Sequence, residues 1–128
     1  MENQKSALGL DGNITALIGY IIPLVALILL FMEKDNKFVR FHAFQSIFWN
    51  VLAFVAFIGI MIVGFIVGLV LSQVSGTLGT IFGGLMILIY LGVFLAVFGG
   101  AIFAAIKAFG GNMFKLPIVG NMAEKYAN

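Results

Sequence analysis

The sequence predicts an all-α membrane protein with three transmembrane helices, an interfacial start to the second helix and a short amphipathic C-terminal segment. Of 128 residues, 62% are hydrophobic and 9% charged, whereas a soluble domain carries about 25% charged residues. The exterior must therefore itself be apolar, and lipid is the solvent that accepts such a surface. The few charges are confined to short segments between uncharged runs long enough to cross a bilayer. The length predicts one domain, residues 1–128.

The first span is residues 14–32, ITALIGYIIPLVALILLFM, an uncharged run that would cover about 28 Å as a single helix. Asn13 is the expected N-cap, and Pro23 removes a backbone donor and predicts a kink between Gly19 and Pro23. The N-terminal MENQKSALGLDGN lacks the basic start and small-residue cleavage site of a secretory signal, so the first span is expected to be retained. A hydrophilic connection, EKDNKFVR, leads into an amphipathic stretch whose residues 38–43 are expected in the interface, followed by a tilted second span at 44–71. SQVSGTLG, residues 72–79, is the second connection. The third span covers 80–107 and closes on Lys107, whose long side chain can snorkel to the headgroups, with Gly110 and Gly111 ending the helix. In the tail, 117–126 reads as an interfacial helix with Ile118, Met122 and Tyr126 on one side and Lys115, Glu124 and Lys125 toward water.

Three spans put the first connection and the C-terminus on one side of the membrane. Lys34, Lys37, Arg40, Lys107, Lys115 and Lys125 fall there, against Lys5 alone on the other. The positive-inside rule then predicts a cytoplasmic (inner) membrane protein with its N-terminus outside and its C-terminus cytoplasmic, and the six cations are candidate ligands of anionic lipid headgroups. The net charge of +2 forms no continuous basic track, so nucleic acid is not an expected partner.

Two patterns stand out within the spans. His42, Gln45, Ser46 and Asn50 recur at helical spacing and form a polar stripe with Trp49 beside it. The stripe reads either as an interhelical hydrogen-bond seam or as a contact for a ligand, headgroup or partner chain, with His42 the titratable member. Gly92, Ala96, Gly100, Ala104 and Ala108 recur every four residues, and Gly64 with Gly68 gives a shorter version. Such lines admit close approach of another helix, from the same chain or from another membrane subunit.

Catalysis finds little to work with. Glu2, Asp11, Glu33, Asp35 and Glu124 all lie in termini or the first connection, the single His cannot make a multi-His metal site, and the absence of cysteine removes thiolate chemistry. No enzyme, metal or cofactor is expected. The spans carry no ring of charge, so a pore would need an oligomer.

Three segments together carry a family likeness: GYIIP at 19–23, KFVRFHAFQSI at 37–47 and FKLPIVGNMAEK at 114–125. The chain resembles the small bacterial and archaeal membrane proteins grouped with the chloroplast inner-envelope import component of the Tic translocon. That resemblance implies a helical multi-pass fold, marks Phe41, His42, Gln45 and Ser46 as signature positions and suggests a part in protein translocation. The leading expectation is a non-catalytic accessory or scaffold subunit that contacts membrane lipids and other membrane proteins or itself. The alternative is an oligomeric transport or translocation element of Tic-like type.

Overall fold

In a computed structural model that describes residues 4–128, the helices are α1 (Gly12–Ile21), α2 (Pro23–Met32), α3 (Lys37–Val74), α4 (Gly76–Phe109) and α5 (Val119–Ala127). Glu2 lies outside the described residues. The chain forms two compact units, one built from the residues up to Val51 and from Gly99 onward, the other from Leu52–Phe98. We call them the clasp unit and the hairpin unit.

The predicted first span does not form, and two long apolar helices, not three, can cross a membrane. Proline disfavours the helical conformation in the residue before it and supplies no N–H of its own. Ile22 is accordingly extended (φ −122°, ψ 93°), and there the chain reverses instead of kinking. α1 and α2 pack against each other with Gly19 facing Ala26, where an added Cβ would sit 3.7 Å from the Ala26 Cβ. Each helix has 10 residues, about 15 Å, roughly half of a 30 Å hydrocarbon core.

The polar ends of this short pair meet. The Ala7 amide donates to Glu33 Oε2 (2.6 Å), the Asn36 amide group donates to the Gln4 carbonyl (2.9 Å), and Lys5 pairs with Asp11 (2.6 Å). The segment before α1 therefore lies beside the connection after α2. Arg40 of α3 also donates to the carbonyls of Ala127 and Tyr126, so the start of α3 touches both ends of the described chain. The opposite-side placement of N- and C-termini is corrected, and Lys5 joins the other six cations. Asn13 is not the cap of α1: that position belongs to Asp11, and the Asn13 side chain donates to the Phe109 carbonyl at the end of α4 (3.1 Å).

α3 starts on an Asn36 cap, whose Oδ1 accepts from the Val39 amide (3.2 Å). It runs 38 residues without a break, so no boundary separates the expected interfacial 38–43 from the span at 44–71. α4 has 34 residues and starts at Gly76, earlier than the expected residue 80. The expected eight-residue connection 72–79 shrinks to Ser75 between the two helices. At so tight a turn Gly79 fits closely, since a Cβ there would lie 3.2 Å from the Ser72 Cα and the neighbouring helix would have to give by a few tenths of an ångström.

In the hairpin unit the two helices run antiparallel. Phe57 stacks on Tyr90, Gly64 admits Met86, and Gly68 lies against Phe82. Gly64 alone is buried within this unit, and no charged residue occurs in it.

In the clasp unit α4 ends in a Schellman motif, with Gly111 at φ 82°, its amide on the Ala108 carbonyl and the Asn112 amide on the Lys107 carbonyl. α5 then packs Ala123 and Ala127 against Phe41, so the segment expected at 117–126 forms its helix from Val119 and docks on α3 through its small residues. Ile118, Met122 and Tyr126 are the exposed side.

Reporter fusions at the two termini should read the same side of the membrane, and a reporter at Ser75 the other. Opposite readings for the two termini would restore a three-span topology.

Candidate functional site

The first three turns of α3 carry a row of polar side chains, and in an apolar setting each must find a partner or cost the desolvation of its polar atoms. They do so by binding backbone groups of the flanking segments.

Ser46 solves a problem that Pro23 creates. In an uninterrupted helix the amide of residue 23 would bond the Gly19 carbonyl, but proline has none. Ser46 Oγ donates to that carbonyl at 2.8 Å. The same helix holds Tyr20 through His42, whose Nδ1 lies 2.8 Å from the Tyr20 hydroxyl, while Nε2 lies 3.0 Å from the Asn112 carbonyl. A carbonyl only accepts, so Nε2 carries the proton and Nδ1 accepts from Tyr20. Phe38, Phe41 and Tyr20 meet the imidazole edge to face, with centroids 4.6, 4.9 and 5.5 Å away.

Gln45 is the most heavily used side chain. Its Nε2 donates to the Tyr20 hydroxyl (2.7 Å) and to the Phe114 carbonyl (2.9 Å), and its Oε1 accepts from the Leu116 amide (2.8 Å). One amide group thus pairs with residues 114 and 116 as a neighbouring strand would, and fixes the extended segment between α4 and α5. Among the described residues no buried side-chain polar atom lacks a partner.

Glu33 and Arg40 complete the clasp. Glu33 is buried, and its carboxylate accepts from the amides of Ala7, Asp35 (3.3 Å) and Asn36 (3.1 Å). Arg40 donates to the Glu33 carbonyl (2.7 Å) and to the last carbonyls of α5, where a cation also complements the helix dipole.

The polar stripe therefore divides. His42 and Gln45 share the Tyr20 hydroxyl and Ser46 bonds the adjacent Gly19 carbonyl, whereas Asn50 turns back to the Ser46 carbonyl of its own helix (2.8 Å). Trp49 lies against α4, where a Cβ on Gly100 would come 2.7 Å from its ring. The spacing on α3 did not reveal Tyr20, Glu33, Asn36, Arg40 or Asn112 as members. Tyr20 and Arg40 do stand in the segments GYIIP and KFVRFHAFQSI, the one signal that pointed to them.

Residues 6–123 match the model of the magnetosome magnetite crystal formation protein family. The chain belongs to that family. It is 35% identical over 124 residues to a UPF0132 membrane protein of Methanocaldococcus jannaschii, covering 96% of this chain and 94% of the relative. A second such protein of that organism is 32% identical, over 94% of this chain and 73% of the relative, and one from Archaeoglobus fulgidus is 31% identical, over 88% and 92%. No solved structure matches. The expected kinship with the Tic translocon is overturned by these matches, none of which links the chain to protein import. The three segments that suggested it lie almost wholly inside the matched region, and they are the segments that build the clasp. The protein is a membrane protein of this family.

The line of small residues also divides in this family member. Ala104 and Ala108 are fully buried and Gly100 faces Trp49 in the clasp unit. Gly92 and Ala96, in the hairpin unit, are exposed, and nothing lies within 4 Å of a Cβ added at Gly92. A strict four-residue repeat advances about 40° per step around an α-helix, so five such positions sweep about 160° and cannot share one seam. Of the cations, Lys34, Lys37, Lys115 and Lys125 are exposed, Lys115 pairing with Glu124, while Lys107 lies over the Phe103 ring and Arg40 is spent in the clasp.

Gln45→Leu should lower stability in detergent by about 3 kcal/mol, because the Phe114 carbonyl and Leu116 amide lose their partner together. Limited proteolysis should then cut between residues 110 and 118 faster than in the parent. Ile118, at φ 69° and ψ −55°, is the centre of a γ-turn closed by the Val119 amide on the Pro117 carbonyl (2.7 Å), a strained conformation for a β-branched residue. Ile118→Gly should raise stability by about 1 kcal/mol, read as a higher thermal midpoint.

Proposed function

We propose that this protein is a non-catalytic scaffold subunit of the cytoplasmic membrane, with both termini on the cytoplasmic side. The observation that carries this reading is how the polar groups are used. His42, Gln45, Ser46, Tyr20, Glu33 and Arg40 are occupied in joining the chain to itself, which leaves an apolar helical surface and a rim of lysines as what the molecule presents outward. The positive-inside rule supports the orientation, since all seven basic residues belong to the clasp unit. Lys34, Lys37 and Lys125 are suited to anionic headgroups.

The family description names magnetite crystal formation. Among the described residues no three His, Asp or Glu side chains come together, so we carry over from that description a membrane-bound structural part and no mineral-binding chemistry. Contact with a neighbouring subunit, or with a second copy, would use the exposed small face of α4 at Gly92 and Ala96, where backbones can approach closely.

Native mass spectrometry from mild detergent, with two substitutions, tests the reading. Gly92→Ile should leave the thermal midpoint within the change expected of an exposed site, about 0.5 kcal/mol, yet abolish association with the neighbour. Gly100→Ile should cost about 1–3 kcal/mol by driving a side chain into Trp49. Recovery of the parent as a lone monomer from native membranes, or association untouched by Gly92→Ile, would count against the scaffold.

A further inference from the structure

The α1–α2 pair raises a question that the scaffold reading leaves open, because its surface is too apolar for water and its helices are too short to cross. Ile21, Ile22, Leu24, Ile28, Phe31 and Met32 are all exposed, Phe31 at 75% and Ile21 at 65%. The tip at Ile21 to Leu24 holds no charge, while the opposite end carries Lys5, Asp11, Glu33 and Asp35. Both ends of the pair are tied to one place, the Ala7 amide to Glu33 and the Asn36 side chain to Gln4. A helical pair with one polar end and one apolar tip, each arm about 15 Å long, reaches the bilayer midplane and stops.

We infer that α1 and α2 form a re-entrant hairpin that occupies a single leaflet, and that it makes the protein sensitive to membrane curvature. The occupant of its exposed face is the acyl-chain layer of the leaflet on the side of the two termini. The length of the arms and the anchoring of both ends at the start of α3 argue for this choice. Two helices, each about 10–12 Å across, displace roughly 150–200 Å² of lipid from that leaflet. α1 and α2 take no area from the other leaflet. Area added to one monolayer favours bending that puts this monolayer on the convex side, so the protein prefers membrane curved outward toward its termini. At this depth the Gly19 carbonyl, freed at the reversal by Pro23, is bonded by Ser46.

The chain has no cysteine, so single-cysteine labelling reports one site at a time. The first measurement places a fluorophore on Ile22→Cys in proteoliposomes and reads its depth with lipids carrying quenchers at known positions. Strongest quenching near the bilayer midplane is expected, and quenching by the far headgroups would overturn the hairpin. The second labels Asn128→Cys and pulls narrow tethers from giant vesicles of phosphatidylcholine with phosphatidylglycerol. A membrane-impermeant quencher separates the two orientations. Molecules with the C-terminus outside should be enriched in the tether about twofold or more over the parent vesicle, and those with it inside depleted. Equal partitioning of both orientations, or enrichment of the inward one, would overturn the curvature preference. Neither readout depends on association with a neighbour, so failure here is separable from failure of the scaffold.

Discussion

A polar atom placed among apolar ones must be bonded, and the first three turns of α3 are organised by that constraint. Five side chains between Asn36 and Ser46, those of Asn36, Arg40, His42, Gln45 and Ser46, reach backbone groups before α1, within α1, after α4 and at the end of α5. The hydrophobic effect gives little direction in lipid, where a leucine is as content against an acyl chain as against another leucine. Hydrogen bonds whose loss would strand a carbonyl or amide supply the direction instead. This accounts for a clasp unit dense in specific partners beside a hairpin unit in which ring stacking and close glycine contacts bring the helices together.

The clasp also explains how a proline can sit inside an apolar segment at membrane depth. Breaking α1 from α2 frees the Gly19 carbonyl, and irregular backbone survives in hydrocarbon only where protein re-satisfies it. Ser46 does so, and Gly19 with Ala26 lets the two arms close without a side chain between them. The reversal, its compensation and its close packing thus depend on residues from two separate segments, and none of them is sufficient alone.

Several features were legible before any tertiary contact was known. The membrane character follows from 9% charge, because surface chemistry is a sum over residues and needs no coordinates. The polar spacing of His42, Gln45 and Ser46 marked one face of one helix, and all three bond the Gly19–Tyr20 step of α1. Pro23 marked the place of the break. The cap at Asn36 went unread, since an Asn in a charged connection looks like any loop residue until Val39 is known to start a helix with it. Gln45 pairing with residues 114 and 116 was beyond reach, since the partners are backbone groups about 70 positions away and backbone groups leave no mark in a sequence. The small-residue line divides because a four-residue repeat drifts around the helix: Gly100 meets Trp49 and Ala104 and Ala108 are buried, while Gly92 and Ala96 stay exposed.

By itself the sequence determined that this chain is helical, lipid-exposed and charged only outside its long apolar runs, since hydropathy and charge accumulate along the chain whatever its path. It did not determine how many times the chain crosses. Nineteen uncharged residues carry the same hydropathy as one rod or as two half-length arms. The choice rests on whether the carbonyl stranded at Pro23 finds a donor and whether the arms can touch. Those are properties of residues brought together in space, Ser46 against Gly19 and Ala26 against Gly19, and only the tertiary structure decides them.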